Sequence, residues 1–190
     1  MVLQTDKELT LEEFLKLPIN EGDINYELID GQAVPKMSPQ KRHSKLTRAF
    51  IKIFELCYDD KCEIYPELSV KLTRKGRDWI PTPDLLYIVA EHLPEDWEEE
   101  GICNIIPDLV IEIISPSQSF GKMAEKAQDY LAAKVPRVWV VDIEDRSITI
   151  FYPDAPPQTY RGDELITDVL FPRLEFTVEQ LFKNAKIPLN

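Results

Sequence analysis

A glutamate stands in the middle of the apolar run Leu109-Val-Ile-Glu-Ile-Ile114, which reads as a strand buried on both faces. An unpaired carboxylate in such a place costs several kcal/mol, so Glu112 must be neutralised, paired or bound to a metal. A plain salt bridge would meet that need. Asp84 adds a second carboxylate of this kind, following Pro83 at the head of the apolar strand 85–89. If the two strands are neighbours, the carboxylates converge into a hard oxygen site of the sort Mg²⁺ prefers, with waters completing the shell. Asp84 alone also fits an ordinary strand-start turn. Glu27, between Tyr26 and Leu28, is a third carboxylate that faces either this site or solvent.

Lys126 supplies a cation, one turn before Tyr130 and one turn after Lys122, so the three share a helix face. The short connection from Glu112's strand returns this helix over the strand's carboxyl end, where the lysine would balance two carboxylates and orient a water. A surface lysine is the ordinary alternative. His43 has no catalytic partner evident in the sequence and reads as a structural hydrogen-bonder or a phosphate contact. Ser115 has no nucleophile elbow around it, and there is no phosphate-binding glycine loop, zinc spacing or dinucleotide fingerprint. Metal–carboxylate chemistry, or no chemistry, is what remains.

The elements that must hold these residues can be read in order. Thr10 and Glu13 form a capping box for a short helix ending near Pro18. Tyr26 to Ile29, the Asp30-Gly31 turn and Gln32 to Val34 predict a hairpin. Apolar residues at helical spacing from His43 to Cys57 predict a helix from Pro39 to about Tyr58. Cys62 to Leu72 reads as extended, Arg74 to Asp78 as a loop, and Asp84 and Asp108 as openings of buried strands. The acidic stretch from Pro94 to Glu100 reads as a surface excursion with one helical turn. A helix from Gly121 to Lys134 follows, then a hairpin made of Arg137 to Ile143 and Ser147 to Tyr152. An edge strand is expected near Glu164 to Ile166, and Thr177 with Gln180 caps a last helix. This order predicts one α/β domain over residues 1–190, a mixed sheet with helices on its faces.

Composition narrows the partners. With 44% hydrophobic residues in 190, the chain can bury a sizeable core. No basic-then-apolar leader and no spanning segment is visible, and the three cysteines lack zinc spacing, which together suggest a cytoplasmic protein. A net charge of −12 argues against a protein that coats nucleic acid. The charge is uneven, however: residues 31–54 contain no acid but carry Lys36, Lys41, Arg42, Lys45, Arg48 and Lys52. Such a stretch is either a solvated helix face or a local clamp on a phosphate backbone.

Several segments together resemble the Uma-type restriction-endonuclease family of the PD-(D/E)xK, restriction-endonuclease-like superfamily. They are Leu11-Glu-Glu-Phe14, Tyr26-Glu-Leu-Ile-Asp-Gly31, Met37-Ser-Pro39 with His43, Pro83-Asp84, Pro107 to Ser117, Glu125-Lys126, Tyr130 and Pro136 to Asp142. The resemblance runs from about residue 10 to 152. It implies an αβββαβ core in which Asp84 and Glu112 are the acidic elements and Glu27 completes the metal site. The superfamily's lysine usually lies two residues after the glutamate, where this chain has Ile114; the resemblance implies that Lys126 replaces it from the helix. Lys122 is a departure, since relatives often carry aspartate there.

The expectation is a Mg²⁺-dependent endonuclease, Mn²⁺ also serving, that hydrolyses phosphodiester bonds, above all in DNA. Catalytic roles fall to Glu27, Asp84, Glu112 and Lys126. The ion's ligands would be Asp84, Glu112, Glu27 and the Ile113 carbonyl, with Tyr130 in support. Lys41, Arg42, His43, Lys45 and Arg48 would contact DNA without reading its sequence. A homodimer would suit concerted cleavage of two strands. A catalytically silent protein-interaction domain on the same fold, and a hydrolase of small phosphoesters, stay open as alternatives.

Overall fold

The computed structural model describes residues 8–17, 25–36, 38–58, 62–94 and 101–188. Its elements are α1 (Leu11–Leu15), β1 (Tyr26–Ile29), β2 (Gln32–Pro35), α2 (Lys41–Tyr58), β3 (Cys62–Pro66), β4 (Leu72–Arg74), β5 (Arg77–Trp79) and β6 (Leu85–Val89). A 3₁₀ turn (Ala90–His92) is followed by β7 (Leu109–Ile113), α3 (Phe120–Ala132), β8 (Val138–Asp142), β9 (Ser147–Phe151), β10 (Gln158–Arg161), β11 (Leu165–Asp168), β12 (Phe171–Thr177) and α4 (Val178–Asn184). The helical turn expected around Trp97 falls outside the described residues.

A six-stranded sheet in the order β10-β9-β8-β7-β6-β3 organises the molecule. Its neighbours are antiparallel except β7 and β8, which run parallel because α3 crosses between them. Taken along the chain, α2, β3, β6, β7, α3 and β8 form the αβββαβ core, into which the β4–β5 hairpin is inserted. The apolar spacing of α2 places Leu46, Phe50, Ile53 and Phe54 on one stripe, against Tyr87, Ile111 and Trp139 on one face of the sheet. Met123, Ala127 and Tyr130 of α3 cover the opposite face, packing over Val110, Val138 and Val140. With a helix on each side, every residue of β7 is buried.

Local chemistry explains the boundaries. Both capping boxes form, Thr10 with Glu13 and Thr177 with Gln180, and Ser119 caps α3 through the Lys122 amide. Asp30 and Gly31 turn the first hairpin with positive φ at both positions, the twist a two-residue hairpin favours. Leu28 of that hairpin exchanges both backbone hydrogen bonds with Ile80, which ties β1 to the chain entering β6.

Three expectations needed correction. The stretch 74–78 is no loop: it is the β4–β5 hairpin, turned at Lys75 and Gly76 with positive φ and anchored by buried Leu72 and Trp79. The extended run 62–72 is interrupted at Glu67, whose φ of 53° takes the chain off the sheet. The residues near Glu164 to Ile166 do not edge the main sheet. That edge is β10, while β11 pairs with β12 in a separate ribbon over the α2 side.

Arg137 at the head of β8 grips Asp168 of that ribbon with two hydrogen bonds, both side chains being buried. Breaking one side of such a pair leaves an uncompensated charge in the interior. Asp168→Ala should therefore lower stability by about 3 kcal/mol in urea unfolding. Arg137→Met with Asp168→Leu should recover most of that loss, and a single variant within about 0.5 kcal/mol of wild type would show the pair to be idle.

Candidate active site

The β6–β7 register pairs Leu85 with Ile111, and Asp84, the residue just before β6, reaches β7 beside Glu112 through the Ile113 amide. Glu112 lies between Val110 and Ile114 on the face that α3 covers, and both acids are buried. The Asp84 carboxylate accepts the Ile113 amide at 2.7 Å, so a side chain continues the sheet's hydrogen bonding just before β6 begins. His43 of α2 brings Nε2 to 2.9 Å from the same oxygen. The Lys36 ammonium, at the exit of the first hairpin, sits 3.1 Å from the other oxygen as a charge, without directed hydrogen-bond geometry.

On the α3 side, Glu112 Oε1 receives the Tyr130 hydroxyl at 2.7 Å and stands 3.0 Å from Lys126 Nζ. The same lysine reaches Glu27 Oε1 at 3.1 Å. Glu27 also accepts the Thr82 amide at 2.8 Å, two residues before Asp84. Lys126 and Tyr130 meet Glu112 together because they are one helical turn apart. Trp79 packs on the Tyr130 ring at 4.7 Å between centroids and holds it there. Arg74 bonds both Asp30 in the turn of Glu27's hairpin and Asp129 beside Tyr130, fastening the hairpin to the helix.

The electrostatics follow from this placement. Burial by itself would raise the Asp84 carboxyl, but the His43 hydrogen bond, the Lys36 charge and the Ile113 amide outweigh it and hold the group at about 2. Burial raises Glu112; Lys126 opposes that, while Asp84 and Glu27 reinforce it. Burial would lower Lys126, yet Glu112 and Glu27 on either side drive it above the ordinary lysine range. The two directions agree physically: the lysine sees two carboxylates, whereas Glu112 sees one adjacent lysine and two other acids. Tyr130, buried and donating to Glu112, stays protonated, its pKa well above the usual phenol value.

Three buried acids, Glu27, Asp84 and Glu112, thus face two lysines, Lys36 and Lys126. The surplus is negative, and a divalent cation would relieve it. Among the described residues no group of three or more His, Cys, Asp or Glu side chains is arranged as a metal cluster. What the site could offer a hard cation such as Mg²⁺, which takes oxygen ligands and keeps several waters, is the pair of buried carboxylates Asp84 and Glu112.

Of the basic residues on α2, Lys41, Arg42 and Arg48 are exposed, while Lys45 is half-buried. Arg42 pairs with Glu144 at 3.2 Å and Lys45 donates to the Lys186 carbonyl at 2.9 Å. His43 differs from its neighbours: it turns inward to Asp84 and is not on the exposed face with them. Sequence reasoning did not find the His43–Asp84 contact, nor Lys36 as the second cation. The signals present were a histidine at the apolar edge of α2 and a lysine in a stretch without acids.

The central mixed sheet, its αβββαβ core and the acids at the β6–β7 end define a restriction-endonuclease-like fold. The chain belongs to the Uma2 family, described as "Putative restriction endonuclease", whose profile matches residues 11–179. It is also similar to a crystal structure from Anabaena variabilis, described as a "putative nuclease belonging to DUF820". The two are 26% identical, with a TM-score of 0.80 over 93% of this chain and 99% of that one. No curated protein matches the chain. No helix among the described residues is long and apolar enough to cross a membrane.

The low Asp84 value carries a sign. A carboxyl held below its unfolded value of about 3.8 contributes stability that is present above that pH and lost as pH falls toward about 2. Glu112, shifted upward, acts with the opposite sign, so it cannot be the source of this acid limb. In metal-free urea unfolding between pH 5 and 2, wild type should lose about 2 kcal/mol more than Asp84→Asn. Parallel acid limbs for the two proteins would contradict the His43 and Lys36 account.

Proposed function

We propose that this chain is a metal-dependent endonuclease that hydrolyses phosphodiester bonds, with DNA as its substrate. The observation that carries the proposal is the burial of Asp84 and Glu112 together at the junction of β6 and β7, Asp84 bonded to the amide next to Glu112 and Lys126 beside Glu112. Membership of the Uma2 family and the likeness to the Anabaena variabilis protein support it.

Asp84, Glu112 and the Ile113 carbonyl are the proposed ligands of Mg²⁺ or Mn²⁺. A bound ion supplies charge stabilisation at the phosphoryl oxygens and makes a water more acidic. The chain's own residues do the rest. Lys126 stabilises the charge that develops on the phosphate and helps position the attacking water. Tyr130 fixes the orientation of the Glu112 carboxylate through its hydroxyl, and His43 with Lys36 keeps Asp84 ionised and in place. Glu27, held by Lys126 and the Thr82 amide, serves as the lysine's second counter-ion and ligates the ion only where the lysine releases it. The exposed cations Lys41 and Arg48, with Arg42 exchanging its Glu144 partner for phosphate, grip the DNA backbone.

A silent interaction domain on this fold is the competing reading, favoured by the fact that Lys126 already neutralises Glu112. Supercoiled-plasmid cleavage separates the two. Wild type with Mg²⁺ or Mn²⁺ should nick or linearise plasmid, EDTA should stop it, and Glu112→Gln should slow it by about a hundredfold or more while the protein stays folded. A folded wild type that neither cleaves nor gains thermal stability on adding either ion would reject the proposal.

A further inference from the structure

A cavity of about 440 Å³ opens beside the carboxylate cluster, between the first turn of α2 and the segments that leave β7 and β8. His43 is part of its wall and is also the residue that holds Asp84. Ile114 and Ser115, which follow directly on β7, form another part. The cavity therefore neighbours the proposed centre of hydrolysis, sharing His43 with it and the residues that follow Glu112's strand.

Its lining does not suit a phosphate. Ile114, Pro116, Ile143 and Phe120 make it largely apolar, and the acids Asp142 and Glu144 face it as well. Phe120, the first residue of α3, leaves 42% of its surface exposed. Its ring lies 6.5 Å from that of Phe151, which braces it from the sheet. Lys41 and Arg42 stand on the α2 wall, and Arg42's pairing with Glu144 is between two exposed side chains, so it exchanges readily with solvent or ligand. An exposed aromatic face, acidic acceptors and cations along one wall match a group that is flat and apolar on its faces, rich in N–H at its edges and attached to phosphate.

We propose that this cavity receives an unstacked nucleobase of the strand being cleaved. Phe120 is its stacking platform, and Lys41 and Arg42 contact the phosphate beside it. The inference rests on the nuclease reading and refines its substrate class: single-stranded DNA, or duplex DNA in which a base can leave the stack. Bases held within an intact duplex would not reach Phe120.

Fluorescence anisotropy tests this with Ca²⁺ in place of Mg²⁺. The probes are a fluorescein-labelled deoxycytidine decamer, whose bases carry an exocyclic amino group, and a decamer of the same length made of abasic deoxyribose phosphate. Wild type should bind the deoxycytidine decamer on the order of tenfold more tightly than the abasic one. Phe120→Ala should lose that preference with little change on the abasic probe, and Phe120→Trp should keep it. Equal affinity of wild type for both probes, including no affinity for either, would overturn the proposal. So would a Phe120→Ala protein with undiminished preference. The binding readout is independent of turnover. Base preference without plasmid cleavage would sink the hydrolytic reading alone, and cleavage without base preference would sink the pocket alone.

Discussion

Negative charge buried at one end of a sheet is what the rest of this molecule is arranged around. Asp84, just before β6, and Glu112, within the adjacent antiparallel β7, are both buried among apolar neighbours, so each depends on partners from the protein. Each is answered from a different element: Asp84 by Lys36 after the first hairpin, by His43 on α2 and by the Ile113 amide, Glu112 by Lys126 and Tyr130 on α3. A charge in an apolar interior is tolerated only while its partners stay in register. The helices on the two faces are consequently fixed by polar contacts at the site as well as by their apolar stripes.

The inserted β4–β5 hairpin belongs to the same scheme. It supplies Trp79 against the Tyr130 ring and Arg74 between Asp30 and Asp129. Its two strands are short and mostly polar, and their value to the fold is to brace the helix that carries the lysine. The Leu28–Ile80 bridge does the corresponding work for Glu27, setting its strand against the segment that leads through Thr82 to Asp84.

Parts of this were legible in the sequence for clear physical reasons. A glutamate inside Leu109 to Ile114 is conspicuous because charges are otherwise kept out of buried strands. Lys126 and Tyr130 are linked by helical spacing, and the capping boxes are local signatures. His43 and Lys36 were not legible as partners of Asp84, because contacts between distant segments leave no local spacing to read. The β4–β5 hairpin was missed since its strands hold only one inward residue each, Leu72 and Trp79. The outer strands were missed for different reasons: in β10 only Tyr160 is buried, and in β12 Pro172-Arg173 breaks the alternation of Phe171 with Leu174 and Phe176.

With Ile114 on the strand two residues after Glu112, and the lysine that meets Glu112 on the helix instead, the cluster has a mechanical character of its own. A lysine on the strand would share one backbone with the glutamate, and its distance would be set by the pleat. Here the acids ride on the sheet and the cation rides on α3, two layers joined by packing and not by adjacent peptide bonds. A small slide or roll of the helix over the sheet alters the spacing between Lys126 and Glu112 without disturbing either element internally. The layer interface thereby acts as the adjusting screw of the site, with the Trp79–Tyr130 contact as its lock nut.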